Sequence, residues 1–379
     1  MVQYKKFCLE ELFSFETGNV DLQQKDINGK GCYFINSGLS NAGIKGKTDR
    51  EAKVFPSNTI TVDFWGNAFY RDFEYKLATH NHIFSLSGDV IRNREVGLYL
   101  VSQMTYFRKL FSFNEMATIK KLKGLSIELP IDSNGDFDWV YMESFIKDIE
   151  QRYIGRLEQE AALLPNYYLA VSGLDCYDLT NDDRQVLDYQ PVYKDFVIGD
   201  LFDKAKTGSI FDSSEKKQNV STVQDSEFCI PLTNAKHGDN GIQFYGRKDE
   251  WETVEKSICV VTNGAVATGD VYPEPQETGV LWDAYLLKLK DVDVDSRVLC
   301  YLASALEKSI KPRYDRDNKA YWKQVSKDCV CLPVDLSDEP NWGYMKSYIK
   351  VIEKLVIKNV VDEKEKLITK TKAMVNCAQ

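Results

Sequence analysis

Apolar residues in the middle of the chain recur with a helical period. From Trp139 onward the stripe runs Met142, Ile146, Ile149, Tyr153, Leu157, Ala161 and Leu164, in steps of 4, 3, 4, 4, 4 and 3. Residues three and four apart share one face of a helix, so the spacing predicts a helix over 139–164. Pro165, which has no N–H to donate, is expected to stop it. A second stripe, Met345, Ile349, Ile352, Val356 and Val360, keeps the same register and continues more weakly to Leu367 and Met374, predicting a helix over 342–374. Charged residues such as Lys350, Glu353, Lys354, Lys358, Glu363 and Lys366 flank it. An apolar seam between charged flanks is a coiled-coil pattern, and two such helices in one chain pair most simply with each other. Ahead of each helix the pattern changes to that of strands. The runs 57–62 and 257–261 are short and β-branched, and glycine loops follow them at Trp65-Gly66-Asn67 and Asn263-Gly264-Ala265. Further loops fall at Asn36-Ser37-Gly38 and at His237-Gly238-Asp239-Asn240-Gly241, and short helices are expected at 96–110 and 298–308. The fold class is therefore α+β, a mixed domain followed by a long helix, twice over.

The two halves are related by sequence as well as by pattern. Tyr4-Lys5-Lys6-Phe7, Leu12-Phe13 and Thr17-Gly18 return as Tyr193-Lys194-Asp195-Phe196, Leu201-Phe202 and Thr207-Gly208, about 189 residues later. Leu129-Pro130-Ile131-Asp132 and Trp139-Val140-Tyr141-Met142 return as Leu332-Pro333-Val334-Asp335 and Trp342-Gly343-Tyr344-Met345, 203 residues later. The second half thus carries some 14 extra residues in its middle, where the two halves match poorly. Internal repetition of this kind means one structural unit built twice.

Composition narrows the reading. A chain of 379 residues with 43% hydrophobic and 12% aromatic content is long enough for two cores. It has no apolar run of the roughly 18–20 residues that cross a bilayer, and its first eleven residues carry no signal-peptide core. A cytoplasmic protein with no membrane partner is expected. The nine cysteines are scattered without a C-x-x-C pair, which argues against a zinc ribbon or a disulfide framework. Cys329 and Cys331, two apart in a strand-like run, read as core thiols that share a strand face. The net charge of −9 opposes phosphate binding, but in a two-domain protein the face presented to DNA decides. Some of the acid lies in 175–188, where Asp175, Asp178, Asp182, Asp183 and Asp188 face one Arg184, and that segment reads as a solvated linker.

The order of these marks resembles the specificity (S) subunits of restriction–modification systems, both type I S subunits and the specificity chain of type IIB systems. The resemblance rests on the opening segment ending in Thr17-Gly18, the strand at 58–62, and the basic run Ile119-Lys120-Lys121-Leu122-Lys123 before Leu129-Pro130. The passage from Pro130 to Lys147, P-x-D…G-x-x-D-W-x-Y-M-x-x-x-I-K, is its most specific part. Tyr314-Asp315-Arg316, Trp322-Lys323 and Leu332-Pro333-Val334-Asp335 repeat these marks before Trp342. Such a subunit would hold target-recognition domains at 1–138 and 191–341, a central helix and linker at 139–190 and a C-terminal helix at 342–379. The resemblance implies an antiparallel helix pair that spaces two half-sites; a 26-residue helix is about 39 Å long, on the order of one DNA turn. It implies a bipartite, asymmetric double-stranded DNA target and a partner adenine methyltransferase and endonuclease. The chain itself would be non-catalytic and free of cofactors and metals, the partner using S-adenosylmethionine and Mg. Met142, Ile146, Ile149 and Tyr153, with Met345, Ile349, Ile352 and Val356, would form the seam and the platform for that partner.

Candidate chemistry points to binding rather than catalysis. The S-adenosylmethionine-binding glycine motif and the N/D-P-P-Y/F motif are missing. Glu51-Ala52-Lys53 and Glu215-Lys216-Lys217 fit only the short end of a nuclease motif and are read as chance. The run 41–48 nearly matches a P-loop, but Asn41 replaces its first glycine and Pro56 follows too soon for the required helix. Lys45, Lys47 and Arg50 are read instead as a flexible basic loop on phosphate or a base edge, with a plain solvated loop as the other reading. His80 and His82 alternate on one strand face but have no third metal ligand in sight. Lys120, Lys121 and Lys123 in the first half, and Arg313, Arg316, Lys319, Lys323 and Lys327 with Tyr314, Tyr321 and Trp322 in the second, are either phosphate and guanine contacts or exposed charged turns. Asn234, Lys236, His237, Gln243, Arg247 and Lys248 are loop candidates of the second half. Trp139 and Trp342 read as core anchors. Two other functions stay open: a two-domain enzyme of unknown type, and an interaction protein that kept this fold and lost DNA binding.

Overall fold

The structure, a computed structural model, describes residues 2–79 and 82–376. It contains two compact units, one made of the residues up to 163 with those from 364 onward, the other of 164–363.

In the first unit Gln3–Cys8 pairs antiparallel with Ser126–Ile131, bringing the opening segment against the Leu129-Pro130 run. A four-stranded sheet follows in the order Ser14–Glu16, Ile83–Ser87, Thr59–Asp63, Ala68–Arg71. Its strand Thr59–Asp63 is buried at every position, as its β-branched composition requires of a strand covered on both faces. Ile60 and Val62 turn toward the main core with Phe84, Leu86, Val96, Tyr99 and Leu100. The helix Arg94–Gln103 starts where the Asn93 side chain accepts the Val96 N–H at 3.0 Å, two residues earlier than expected, and breaks into a 3-10 turn over Thr105–Lys109. A second sheet runs Ile44–Thr48, Cys32–Ile35, Tyr75–Leu77, Val54–Phe55, with the middle pair parallel. It has a small core of its own in Ile35, Phe55, Tyr75 and Leu77.

The second unit repeats this plan except at one edge, where Trp251–Glu252 pairs with Gly208–Ser209 and leaves the smaller sheet with three strands. Tyr193–Val197 pairs with Cys329–Pro333. One sheet runs Phe202–Lys204, Ala284–Leu289, Ser257–Val261, Val271–Glu274. The other runs Ile242–Arg247, Phe228–Thr233, Gly279–Val280, again with a parallel pair. Asp295 caps the helix Ser296–Ile310, which contains the expected 298–308. Part of the length surplus is now placed. The turn between paired residues Val62 and Ala68 becomes the longer loop between Val260 and Val271, a difference of five residues.

The two long helices are Trp139–Ser172 and Trp342–Asn376. The first does not stop at Pro165. The ring removes one helical hydrogen bond, but Tyr168 and Leu169 beyond it pack with Leu174, Ile357 and Val361, and that burial carries the helix through. Within the first unit Lys364 reaches Glu160 at 3.0 Å and Lys372 reaches Glu158 at 2.5 Å. The numbers run in opposite senses, so the pairing is antiparallel.

The expected seam is corrected in detail. Met142 and Ile146 are buried in the first main core and Met345 in the second, so they hold their own domains and present nothing to a partner. Ile149 and Tyr153 are 46% and 55% exposed, and the buried line passes instead to Ile154 and Leu157. Between them the line crosses Glu150, whose charge is met by Arg94 at 2.7 Å. In the second helix Val351, Ile357 and Val361 are buried, Ile349 and Ile352 half-buried, and Val356 is 57% exposed. Lys354 sits inside that buried line, 5% exposed, 2.6 Å from Asp183. A purely apolar periodicity cannot locate a stripe whose members include neutralised charges.

That ion pair also corrects the acidic linker. Residues Asn181–Asp188 form a helix whose N-cap, Thr180, exchanges hydrogen bonds with Asp183. The Lys354 ammonium and the cap hold the Asp183 carboxyl down to about 2. Cys329 and Cys331 do share a strand face, but it is the outward one: Val330 and Leu332 fill the core, Cys329 is half-buried and Cys331 exposed.

Candidate nucleic-acid interface

Both halves present a turn of the same length with the same closing hydrogen bond. In the first, Asn36 N–H donates to the Gly43 carbonyl at 3.0 Å; in the second, Asn234 N–H donates to the Gly241 carbonyl at 3.0 Å. Each turn links the two strands of a hairpin. Each ends in three consecutive residues with positive φ, Asn41-Ala42-Gly43 and Asp239-Asn240-Gly241. Left-handed backbone favours Gly, Asn and Asp, which occupy five of these six places; Ala42 is the strained exception at φ 50°.

What holds Ala42 there is a buried arginine. Arg71 is 1% exposed, donates Nε–H to Thr61 Oγ1 at 2.9 Å, and reaches the Ala42 carbonyl at 2.6 Å. Burial lowers its guanidinium to about 10, so it stays charged at neutral pH. Asp63, 2% exposed, accepts from Gly38 N–H at 2.9 Å and fixes the other side of the turn. In the second half the residue at Arg71's place in the sheet is Glu274, since Arg71 pairs with Thr59 as Glu274 pairs with Ser257. Burial pushes the Glu274 carboxyl up to about 8. It cannot do what Arg71 does, and another acid has taken over. Asp270, 1% exposed on the longer loop, accepts from His237 Nδ1 at 2.7 Å and from Tyr272 hydroxyl at 3.1 Å, and ion-pairs with Lys311. The Tyr272 hydroxyl in turn accepts the Gly238 N–H at 2.8 Å. Burial and the adjacent Asp270 push Tyr272 up to about 12.

The candidate residues fall around these turns unevenly. Lys45 and Lys47 lie on the strand Ile44–Thr48, not on a flexible loop, and both are exposed. The Lys47 ammonium lies over the Tyr33 ring at 4.8 Å. At the corresponding places of the second hairpin stand Gln243 and Tyr245. Arg50 is exposed and pairs with Asp26 at 2.6 Å. Lys236 bonds the Ile242 carbonyl at 2.9 Å and pairs with Asp239 at 2.7 Å. Arg247 stacks over Phe228 at 4.2 Å and binds Glu227 at 2.7 Å, while Lys248 in the next turn is exposed. Lys120, Lys121 and Lys123 are exposed on the short helix Ile119–Lys123, with Lys121 on Glu115 at 2.6 Å. Arg313 pairs with Asp328 at 2.8 Å; Arg316 and Lys323 are exposed, and Lys319 is half-buried. Tyr314 is a core residue whose hydroxyl donates to Asp328 at 2.7 Å. His80 lies outside the described residues, and the His82 ring rests 5.0 Å from Phe64. Sequence reasoning missed Arg71, Asp63, Asp270, Tyr272 and Lys311. Their partners lie far off in the chain, and no local spacing marks them.

Residues 1–159 match the model of the type I restriction modification DNA specificity domain. Over 362 residues the chain is 22% identical to S.BcgI, the specificity subunit of a type II restriction enzyme from Heyndrickxia coagulans, covering 94% of this chain and 96% of that protein. The chain is thus similar to a restriction–modification specificity subunit over almost its whole length, and to the specificity-domain model over its first part. A solved S subunit of a type I restriction–modification system from M. genitalium has the same fold, with a TM-score of 0.55 at 16% identity over 100% of this chain and 95% of that one. The domain model covers only the first part of the chain, yet the second half is built on a closely related strand plan. Among the described residues no helix is long and apolar enough to cross a membrane.

Proposed function

We propose that this chain selects a bipartite, asymmetric DNA target and directs a partner adenine methyltransferase and endonuclease to it, performing no chemistry itself. The observation that carries this reading is one strand plan built twice, with the same turn in each copy and different side chains on it. Identical scaffolds with different exposed residues are what reading two unlike half-sites requires. On this reading 1–138 and 191–341 are the target-recognition domains. Lys45, Lys47, Lys120, Lys123, Lys248, Arg316 and Lys323 are the cations available to phosphate. The helices form the platform for the partner through their exposed apolar residues, Phe145, Ile149, Tyr153 and Val356. S-adenosylmethionine and Mg belong to the partner.

One observation favours the rival reading of an interaction protein without DNA. The net charge is −9, and Arg50, Lys121, Lys236, Arg247 and Arg313 already have carboxylate partners. Selection of the full-length chain on randomised duplex DNA, alone and with a methyltransferase subunit of its system, separates the two. Enrichment of a two-part motif is expected, with no transfer of labelled methyl groups by the chain alone. Uniform recovery of all sequences in both settings sinks the DNA reading, and methyl transfer by the isolated chain sinks the non-catalytic one.

A further inference from the structure

The second turn is not a plain loop. Four side chains from separate parts of the second unit converge on it. His237 comes from the turn itself, Asp270 and Tyr272 from the longer loop and the strand after it, and Lys311 from the end of the helix Ser296–Ile310. The Asp270 carboxylate is almost wholly buried, yet the His237 side chain that it holds is 66% exposed. A buried ionised group is costly unless it is paired, and Lys311 supplies the counter-charge on one oxygen while His237 and Tyr272 occupy the other. A carboxylate only accepts hydrogen bonds, so His237 Nδ1 carries the proton and Nε2 is left on the far side of the ring. The backbone beside it is equally fixed. Gly238 at φ 81° donates its N–H to Tyr272, and Asp239, 78% exposed, follows.

We propose that His237 is a specificity-determining residue, reading a base edge of the second half-site through Nε2, with Asp270, Tyr272 and Lys311 as its positioning residues. This rests on the DNA-specificity reading above. Three features favour a base edge over a phosphate. The ring is oriented through one nitrogen, which a non-directional phosphate contact does not need. Asp239 and Lys236 pair at 2.7 Å on the same turn, so the turn offers phosphate no net charge but sets a donor beside an acceptor, which suits the guanine acceptors and the cytosine amino group of a G·C pair. The turn of the first half, with the same closing hydrogen bond, carries Leu39 and Asn41 at the same places, chemistry suited to the thymine methyl and to adenine. One frame thus holds two different readers.

The test is selection of the full-length chain, with a methyltransferase subunit of its system, on randomised duplex DNA, comparing wild type with His237→Ala, Asp270→Asn and Leu39→Ala. His237 is exposed, so its replacement leaves the fold intact. His237→Ala is expected to lower discrimination at one base pair of the second half-site about 5- to 150-fold, leaving the other positions and non-specific binding unchanged. Asp270→Asn should blur the same position, and Leu39→Ala a position of the first half-site only. Uniform weakening at all positions by His237→Ala would make it a phosphate contact and overturn the assignment. An unchanged motif in that variant overturns it as well. If the wild type enriches no motif, the DNA-specificity reading itself has failed.

Discussion

The two halves of this molecule close their turns in the same way and hold them in different ways. The first buries Arg71 under its turn; the second, at the same place in the sheet, buries Glu274 and moves the anchoring task to Asp270 on a loop five residues longer. Both turns nonetheless keep the same closing hydrogen bond and the same run of positive φ. Outside the turns the halves share more. Arg94–Glu150 at 2.7 Å and Arg297–Glu353 at 2.8 Å are one ion pair made twice, tying the start of each domain helix to its long helix. The charge beneath a turn can reverse if another acid arrives to hold it, because the backbone conformation is what must survive.

The strongest way to break the comparison is through the long helices. Asp183→Ala leaves Lys354 buried without its counter-charge, and about 3–5 kcal/mol should be lost from the second unit. Urea unfolding checks this; a loss under ~1 kcal/mol would mean the pair is solvated. A comparable effect separates the halves by pH. Glu274, ordinarily near 4.5, titrates at about 8 in the fold, so the folded state holds its proton more tightly than the unfolded chain. Its contribution is whole below pH 4.5 and is lost as pH rises through about 8, on the order of 5 kcal/mol. Arg71, charged throughout that window, gives the first half no such slope. Urea midpoints from pH 5 to 9 should fall for wild type and flatten in Glu274→Gln. A wild-type slope that the variant retains would assign the effect elsewhere. The mildest change is Ile149→Asp. This residue is 46% exposed, so stability should move by no more than about 0.5 kcal/mol while partner assembly is lost. Undisturbed assembly would move the platform off this face.

The sequence was most legible where packing repeats. The edges of each half, the four main helices and the buried strand at 59–63 follow from hydrophobic period and caps that lie within a few residues of one another. Legibility failed where a charge replaces an apolar residue. Glu150 and Lys354 lie on the buried lines of their helices, so counting apolar steps drew the stripe onto Ile149, Tyr153 and Val356 instead. Pro165 misled for a related reason, since its local penalty is outweighed by contacts to residues almost two hundred positions away. The turns were marked by their glycines and asparagines, but their anchors were not. His237 was a visible candidate, whereas Asp270, 33 residues further on, becomes its partner only in the fold.

The central claim is that each half reads its own half-site. It is tested most directly by sequencing the methylome of cells that carry the partner enzyme with wild-type chain, with substitutions in 36–48, or with substitutions in 234–243. The account predicts a two-part methylated motif in which the first set alters one part and the second set alters the other. Both parts shifting together, or no methylated motif with the wild-type chain, would contradict it.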